Sequence, residues 1–438
     1  YSHKRRGRIV RMKKVAYHTL GCKVNQYETE AMQQQFESKG YETVNFHEVA
    51  DVYIINTCTV TNIADRKSRQ MLHKAKKENP NALVVAVGCY VQAAKDALLE
   101  DGNIDIVIGN NKKNEVVEIV EDKLKGTESG DTVLDIDTEK DYEDLFIKKV
   151  TEKTRAYIKI QDGCNQFCSY CIIPYARGRV RSRKESSILE EVTGLAKQGY
   201  KEVILTGIHL ASYGTDLEDT SLLAVIEKIN DIEGIERIRL GSLEPTVMTQ
   251  EFTEQISKLE KLCPHFHLSL QSGCDATLKR MNRKYTVKDF RDAVNNLRDV
   301  YENPAITTDI IVGFPQETEE EFEETKKFVE EIGFADVHIF KYSRRKGTVA
   351  DKMKGQVPDH IKSIRSNVLI ELGKVRAADF KNLFIGTKQK VLFEDKTHMN
   401  GYECQVGYTE RYVKIAIPSD ESLENTIIEV KVTAENLM

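Results

Sequence analysis

Three thiols fall within one short stretch of this chain, Asp162-Gly163-Cys164-Asn165-Gln166-Phe167-Cys168-Ser169-Tyr170-Cys171. The C-x3-C-x2-C spacing constrains the molecule more than any other feature, because it supplies three thiolates to one metal centre and leaves a coordination position open. An iron–sulfur cube held by four cysteines is saturated and passes electrons; one held by three has an iron free to bind a small molecule. Zinc sites pair cysteines with a distant second pair or with histidines, and no such partner pair follows Cys171. A zinc knuckle or a group of buried structural thiols is the alternative.

The chain is 438 residues long, enough for about two to four domains. Its formal net charge of −5 excludes a uniformly basic surface, so any nucleic-acid contact must be a local patch. Nine cysteines, an odd number, fit metal ligation in a reducing cytoplasm better than a disulfide framework. No apolar run approaches the roughly 20 residues of a membrane span, so no membrane partner is expected. The basic segment Tyr1–Arg11 lacks the apolar stretch of a signal peptide and reads as a non-native or disordered arm ahead of Met12.

Residues 12–125 alternate strands and helices. Val15–Leu20, Asp51–Asn56, Leu83–Val87 and Asp105–Ile108 read as buried strands, with helices predicted over Asn25–Lys39, Asn62–Glu78 and Val91–Glu100. This pattern predicts a parallel sheet covered on both faces. No phosphate-binding glycine motif is present, so nucleotide triphosphates and dinucleotides are not suggested. Cys22, Cys58 and Cys89 each follow a strand, and the carboxyl ends of parallel strands open onto one edge. Three thiols distant in sequence are thereby predicted on one rim, as a second open-site ligand set. Taken singly, each could be a small buried hydrophobe.

Residues 126–153 are crowded with Asp and Glu and read as a solvated acidic linker. From 154 to 357 the alternation resumes. Strands are predicted at Ala156–Gln161, Glu202–Thr206, Arg237–Leu240, His265–Leu270, Ala305–Val312 and Asp336–Tyr342, an open (β/α)6 partial barrel two units short of closure. The cysteine motif follows the first of these strands. A connecting helix is predicted in 358–385. Residues 386–438 then read as a small antiparallel β-barrel with a turn at Asn400-Gly401, although six Lys/Arg against nine Asp/Glu do not mark it electrostatically as an RNA binder.

Tyr170, the aromatic residue directly before Cys171, completes a pattern that resembles the radical S-adenosylmethionine (SAM) enzymes. With the second cysteine triplet and the terminal β-module, Met12 to Met438 is similar to the radical SAM methylthiotransferases. Leu20-Gly21-Cys22-Lys23-Val24-Asn25-Gln26-Tyr27-Glu28-Thr29-Glu30 looks like the branch acting on tRNA threonylcarbamoyladenosine. The isopentenyladenosine branch more typically reads Gly-Cys-Gln-Met-Asn, and the ribosomal-protein branch Gly-Cys-Pro-Lys-Asn. The runs Thr206–Gly214 and Pro174–Arg179 support the same branch.

The resemblance implies an auxiliary 4Fe–4S cluster on Cys22, Cys58 and Cys89, and a SAM-binding 4Fe–4S cluster on Cys164, Cys168 and Cys171. It implies a 5′-deoxyadenosyl radical from one SAM, a methyl group from another, and insertion of a methylthio group at C2 of the adenine. The terminal module would be a TRAM domain. Tyr170 is expected at the adenine of SAM, Gly207 near its methionine end, Ser242 and Glu244 at the ribose, and Gln271 on the same rim. Each also has a plain structural reading as a residue ending a strand. tRNA, an electron donor and a sulfur source are the implied partners of a monomer.

Arg177, Arg179, Arg181 and Arg183 alternate along the chain and, if extended, would form a basic comb for phosphates; a solvated charged loop is the alternative. Arg344, Arg345 and Lys346 could extend the patch. No protein acid–base pair is identified. His18, His209, His267 and His338 read as core histidines, and Cys263, Cys274 and Cys404 as structural. The rival functions are the same chemistry on isopentenyladenosine or a ribosomal protein, a non-catalytic RNA-binding iron–sulfur carrier, and a zinc-stabilised RNA-binding protein.

Overall fold

The structure, a computed structural model, describes residues 11–127, 130, 132–148, 154–399 and 401–438. The arm at 1–10, linker positions 128–129, 131 and 149–153, and Asn400 of the anticipated turn lie outside the described residues. The chain divides into two compact units. The first holds the described residues up to Glu139 with Glu143–Ile147 and Tyr175–Arg177; the second holds the remainder.

The first unit is built on five parallel strands, β1 (Lys14–Thr19), β2 (Glu42–Val44), β3 (Val52–Thr57), β4 (Leu83–Gly88) and β5 (Ile106–Ile108), in the order β2-β1-β3-β4-β5. Every residue of β3 is buried, as a strand covered on both faces requires. Tyr53, Ile55, Val84 and Ala86 supply one core and Ile54 and Val85 the other, so alternate residues of β3 and β4 face opposite helix layers. Short β2 and the helix Val116–Lys125 escaped the sequence reading.

The described part of the acidic stretch is not a solvated connector. Val133, Ile136, Leu145 and Ile147 alternate with its carboxylates and are buried, and Tyr27 Oη donates to the Leu145 carbonyl at 2.5 Å. Its apolar residues reach the core while Asp135, Asp137, Asp141 and Asp144 stay exposed, and the buried Glu143 accepts a hydrogen bond from Asn114 N at 2.9 Å.

The second unit contains β6 (Arg155–Asp162), β7 (Arg181–Ser182), β8 (Glu202–Gly207), β9 (Arg237–Leu240), β10 (His265–His267), β11 (Ala305–Val312) and β12 (Asp336–Lys341). All are parallel except β7, a two-residue antiparallel partner of β6. Bridges Ile238↔Leu262 and Leu243↔Leu268 join the sheets β7-β6-β8-β9 and β10-β11-β12, giving the anticipated six-stranded half-barrel. Two of its helices begin with full capping boxes, at Thr286/Asp289 and Thr318/Glu321. The helix Asp359–Asn382 leads to β13 (Lys388–Met399), β14 (Tyr402–Thr409), β15 (Lys414–Pro418) and β16 (Ile427–Lys431), an antiparallel sheet in the order β15-β14-β13-β16. A bulge between Phe393 and Asp395 interrupts the pairing of β13 with β14, which resumes beyond it.

This terminal sheet docks where β6, β8 and β9 begin, the end of the half-barrel opposite the cysteine loop. Glu202 binds Arg239 at 2.9 Å, and burial, which raises its carboxyl, is outweighed by Arg239, Arg155 and Arg237. Arg155 donates to Glu394 at 2.8 Å and to Tyr412 at 2.6 Å, while lying 5.0 Å from both the Tyr408 and Tyr412 ring centroids. Arg237 donates to the carbonyls of Tyr408 and Lys390, and Arg239 to that of Glu410. Among the described residues no helix is long and apolar enough to cross a membrane.

Removing one partner of a fully buried ion pair costs about 3–5 kcal/mol; Arg155 and Glu394 are partly buried, and Glu202 keeps Arg239, so the loss here falls below that range. Arg155→Ala therefore lowers the urea midpoint and exposes 386–438 to protease first. Lys388→Ala, which removes a surface pair with Glu429, leaves both unchanged.

Candidate functional site

The loop after β6 is shaped by a glycine that no other residue can replace. Gly163 has φ +70°, and a Cβ there would lie 1.8 Å from the Arg179 carbonyl oxygen. That approach lets Cys164 N donate to Gly178 O at 3.0 Å and Asn165 Oδ1 accept from Val180 N at 3.2 Å. Ser169 N donates to Met281 O, and Asn282 Nδ2 to Phe167 O, so the far side of the loop is tied to residues 281–282. All three cysteines are free thiols. Burial pushes Cys164 up to about 11 and Cys171 up to about 12, and the neighbouring thiols add to both shifts. Three sulfurs close enough to feel one another, on a loop fixed at both ends, fit a cluster with one open iron.

Arg283 was missed by the sequence reading. Its Nη1 donates to Cys168 Sγ at 3.0 Å, Nη2 to Glu244 Oε1 at 2.9 Å and Nε to Tyr285 Oη at 2.9 Å. It lies 115 residues from Cys168, and no local spacing announces it. Glu244 is buried beside it, with His209 Nε2 3.3 Å from Oε2. Burial raises its carboxyl, but His209 and Arg283 outweigh burial and hold it below its ordinary value.

The other anticipated cofactor residues stand at the same ends of the strands. Gly207 ends β8, and a Cβ there would meet Gln161 Oε1 at 2.9 Å. Gln161 in turn donates to the Asp162 and Gly163 carbonyls and accepts from His209 N, bracing the turn into the cysteine loop. Ser242 is exposed and shares a 2.9 Å hydrogen bond with Ser269. Gln271 holds a left-handed backbone, φ +69°, while its backbone bonds to β11. Tyr170 packs edge-on to Phe314 at 6.3 Å, and burial raises its phenol well above the ordinary value.

In the first unit Cys22, Cys58 and Cys89 follow β1, β3 and β4, as anticipated. Gly21 and Gly88 both have φ +97°, and a Cβ on Gly21 would sit 3.0 Å from Cys58 Sγ. Burial pushes Cys58 up to about 11, with the Cys89 and Cys22 thiols raising it further. The three sulfurs therefore share one rim. Arg177 Nε donates to Cys89 Sγ at 3.2 Å.

That contact overturns the basic comb. Arg177, Arg181 and Arg183 are buried, at 0%, 1% and 0% exposure. Arg177 pairs with Glu28 at 2.9 Å, Arg183 with Glu191 and Ser187, and Arg181 Nη1 donates to Arg179 O. Extended alternation fails because Ile173–Arg177 is a helical turn followed by Gly178 at φ +71°. Arg179 alone is exposed, its guanidinium 4.6 Å from the Phe167 ring centroid. Arg344 is exposed and pairs with Asp351, whereas Arg345 is buried.

The histidines are not uniformly core residues. His338 is exposed on β12, stacked 5.9 Å from His267, and ligand atoms of His267, Asp309 and His338 lie within 4.8 Å of one another. Cys263, Cys274 and Cys404 are buried, consistent with structural roles.

A half-barrel carrying a three-cysteine loop at the carboxyl end of its first strand defines a radical SAM protein, whose chemistry uses a 4Fe–4S cluster and SAM. Residues 158–329 match the Radical SAM superfamily, and residues 14–109 match the uncharacterized protein family UPF0004. The threonylcarbamoyladenosine tRNA methylthiotransferase MtaB of Bacillus subtilis (strain 168) is 40% identical, covering 96% of this chain and 94% of its own. Its namesake from Aquifex aeolicus (strain VF5) is 41% identical over 92% of this chain and 96% of its own. A tRNA-2-methylthio-N(6)-dimethylallyladenosine synthase from Finegoldia magna is 36% identical over 95% and 91%. In fold, the chain is similar to the radical SAM methyltransferase TsrM from Kitasatospora setae, with a TM-score of 0.59, 14% identity, and 78% and 77% coverage. The chain belongs to the radical SAM methylthiotransferase family.

Gly163→Ala forces the loop away from Arg179 and reduces the iron retained after anaerobic reconstitution. Gly126→Ala also places a side chain at positive φ, +78°, but in open space, and leaves iron loading unchanged.

Proposed function

We propose that the chain methylthiolates C2 of N6-threonylcarbamoyladenosine in tRNA, using two 4Fe–4S clusters. The observation that carries this reading is near-full-length similarity to threonylcarbamoyladenosine tRNA methylthiotransferases in a chain that retains both cysteine triplets. When bound, the first cluster with SAM supplies a 5′-deoxyadenosyl radical and the second supplies the sulfur.

The chain's own residues hold, orient and shield these groups. Gln161 and Gly163 fix the entry to the Cys164 loop, and Arg283 hydrogen-bonds Cys168 while anchoring Glu244. Gly207 keeps the rim beside Gln161 free of a side chain where the methionine end of SAM is proposed. Tyr170 offers the adenine an aromatic wall backed by Phe314. Of the four alternating arginines, Arg179 keeps the proposed phosphate contact, because it alone is exposed. We read the C-terminal sheet as a TRAM-like module and the molecule as a cytoplasmic monomer served by an external electron donor and sulfur source.

The similarity to a dimethylallyladenosine synthase keeps N6-isopentenyladenosine as the second substrate reading. Mass spectrometry of tRNA nucleosides from a strain lacking this chain separates them. Loss of methylthio-threonylcarbamoyladenosine is expected; unchanged levels of it would sink the first reading. Reconstituted protein is expected to hold about eight irons, two cubes of four. Replacing Cys164, Cys168 and Cys171 together leaves about four and abolishes 5′-deoxyadenosine formation from SAM. Replacing Cys22, Cys58 and Cys89 spares that cleavage and stops sulfur insertion.

A further inference from the structure

A set of fully buried charges stands beside Cys89 in the first unit. Arg177 Nε donates to Cys89 Sγ at 3.2 Å, Nη1 to Glu28 Oε1 at 2.9 Å, and Nη2 to Asn25 Oδ1 at 2.6 Å and Glu28 Oε2 at 3.2 Å. Lys113 Nζ lies 3.2 Å from Glu28 Oε2 and donates to Asn110 Oδ1 at 2.6 Å. Asn110 Nδ2 faces Cys89 Sγ at 3.7 Å. The side chains of Arg177, Lys113 and Glu28 are all 0% exposed.

Within this set two cations meet one carboxylate. A fully buried guanidinium is strongly favoured by anions within reach, and one of the atoms that Arg177 touches is the Cys89 sulfur. A cysteine thiolate bound to a cluster would accept the Nε–H bond and meet the guanidinium's charge. The choice of arginine follows from shape. Its planar fork reaches sulfur, carboxylate and amide at once, which the single ammonium of a lysine cannot do. A similar device occurs in the second unit, where Arg283 bridges Cys168 Sγ and Glu244. In both places a guanidinium held by a carboxylate reaches the sulfur of a cysteine from one of the two triplets.

We propose that Arg177, locked by Glu28, is a positioning residue that hydrogen-bonds the Cys89 thiolate of the auxiliary cluster and raises that cluster's reduction potential. The proposal rests on the two-cluster reading above. A cluster gains negative charge on reduction, so a nearby guanidinium and a hydrogen bond to a ligand sulfur favour the reduced form. Glu28 opposes the effect through its charge while holding the arginine in place.

The test uses the full chain with Cys164, Cys168 and Cys171 all replaced by Ala, so that the auxiliary cluster alone is titrated by EPR under controlled potential. Arg177→Met is expected to shift the midpoint downward, Arg177→Lys to recover part of the shift, and Glu28→Gln to shift it upward. A residue that merely supported the fold would not move the potential in opposite directions at Arg177 and Glu28. Unmoved midpoints, or shifts of the same sign in Arg177→Met and Glu28→Gln, overturn the proposal. If Arg177→Met fails to load, Glu28→Gln decides: an upward shift supports the proposal and any other result rejects it. Absence of iron in the background chain with Arg177 and Glu28 intact would instead refute the second cluster itself.

Discussion

A guanidinium does not give up its proton inside a protein, so a buried arginine dictates what must surround it. This chain buries an unusual set of them. Arg183 is answered by Glu191, Arg239 by Glu202, Arg177 by Glu28 and Arg283 by Glu244. Each pair joins segments that local propensity would leave independent. In the second unit, Arg155, Arg237 and Arg239 bind the terminal sheet, while Arg283 fixes residues around the cysteine loop. In the first, Arg177 ties the helix that begins at Lys23 to the sulfur following β4. Apolar burial contributes most of the cohesion within each sheet, but it has no direction. The ion pairs supply direction where loops must hold fixed positions.

The parts of the site legible in the sequence are those whose geometry follows from chain spacing. Cys164, Cys168 and Cys171 are close by covalent connection alone. Cys22, Cys58 and Cys89 become neighbours once βα alternation is recognised, because parallel strands end on one edge. The strands Arg237–Leu240 and Ala305–Val312 agree residue for residue with their apolar runs. The arginines failed for a related reason: period-two reasoning is valid only for extended backbone, and residues 173–178 turn. Arg283 could not be found by spacing at all, since its link to Cys168 is made by folding. His338 departed from the core because it lies on β12, whose outward neighbour Val337 packs near Gly373 while the opposite face is open.

Glycines define the remaining limits. At Gly163 the Arg179 carbonyl occupies the place of a side chain, and at Gly88 the Asn56 Oδ1 does, 2.6 Å from where a Cβ would stand. Both immediately precede a cysteine of one triplet. Close backbone approach is therefore a condition for delivering sulfur at either rim, and the positive φ at each position restricts the choice further. The sequence shows Gly-Cys at 21–22, 88–89, 163–164 and 273–274; in the structure the three glycines before triplet cysteines combine crowding with a positive φ, whereas Gly273 is crowded without it.

The same burial of charge narrows where a polyanion can be gripped. With Arg177, Arg181 and Arg183 enclosed, only Arg179 of that run is exposed. The terminal sheet faces a similar restriction. Its stacked Tyr408 and Tyr412 would suit base stacking, yet Arg155 lies against both rings and Arg239 lies 4.6 Å from the Tyr412 centroid. Those aromatics are engaged in docking the sheet to the half-barrel, so they do not offer open faces to a base. Phe167 and Arg179 form the complementary case: an exposed cation stacked on a ring within the cysteine loop. Through Phe167 and through its own carbonyl packed on Gly163, Arg179 is tied to the loop that carries the three thiols, so the proposed phosphate contact would lie beside that loop.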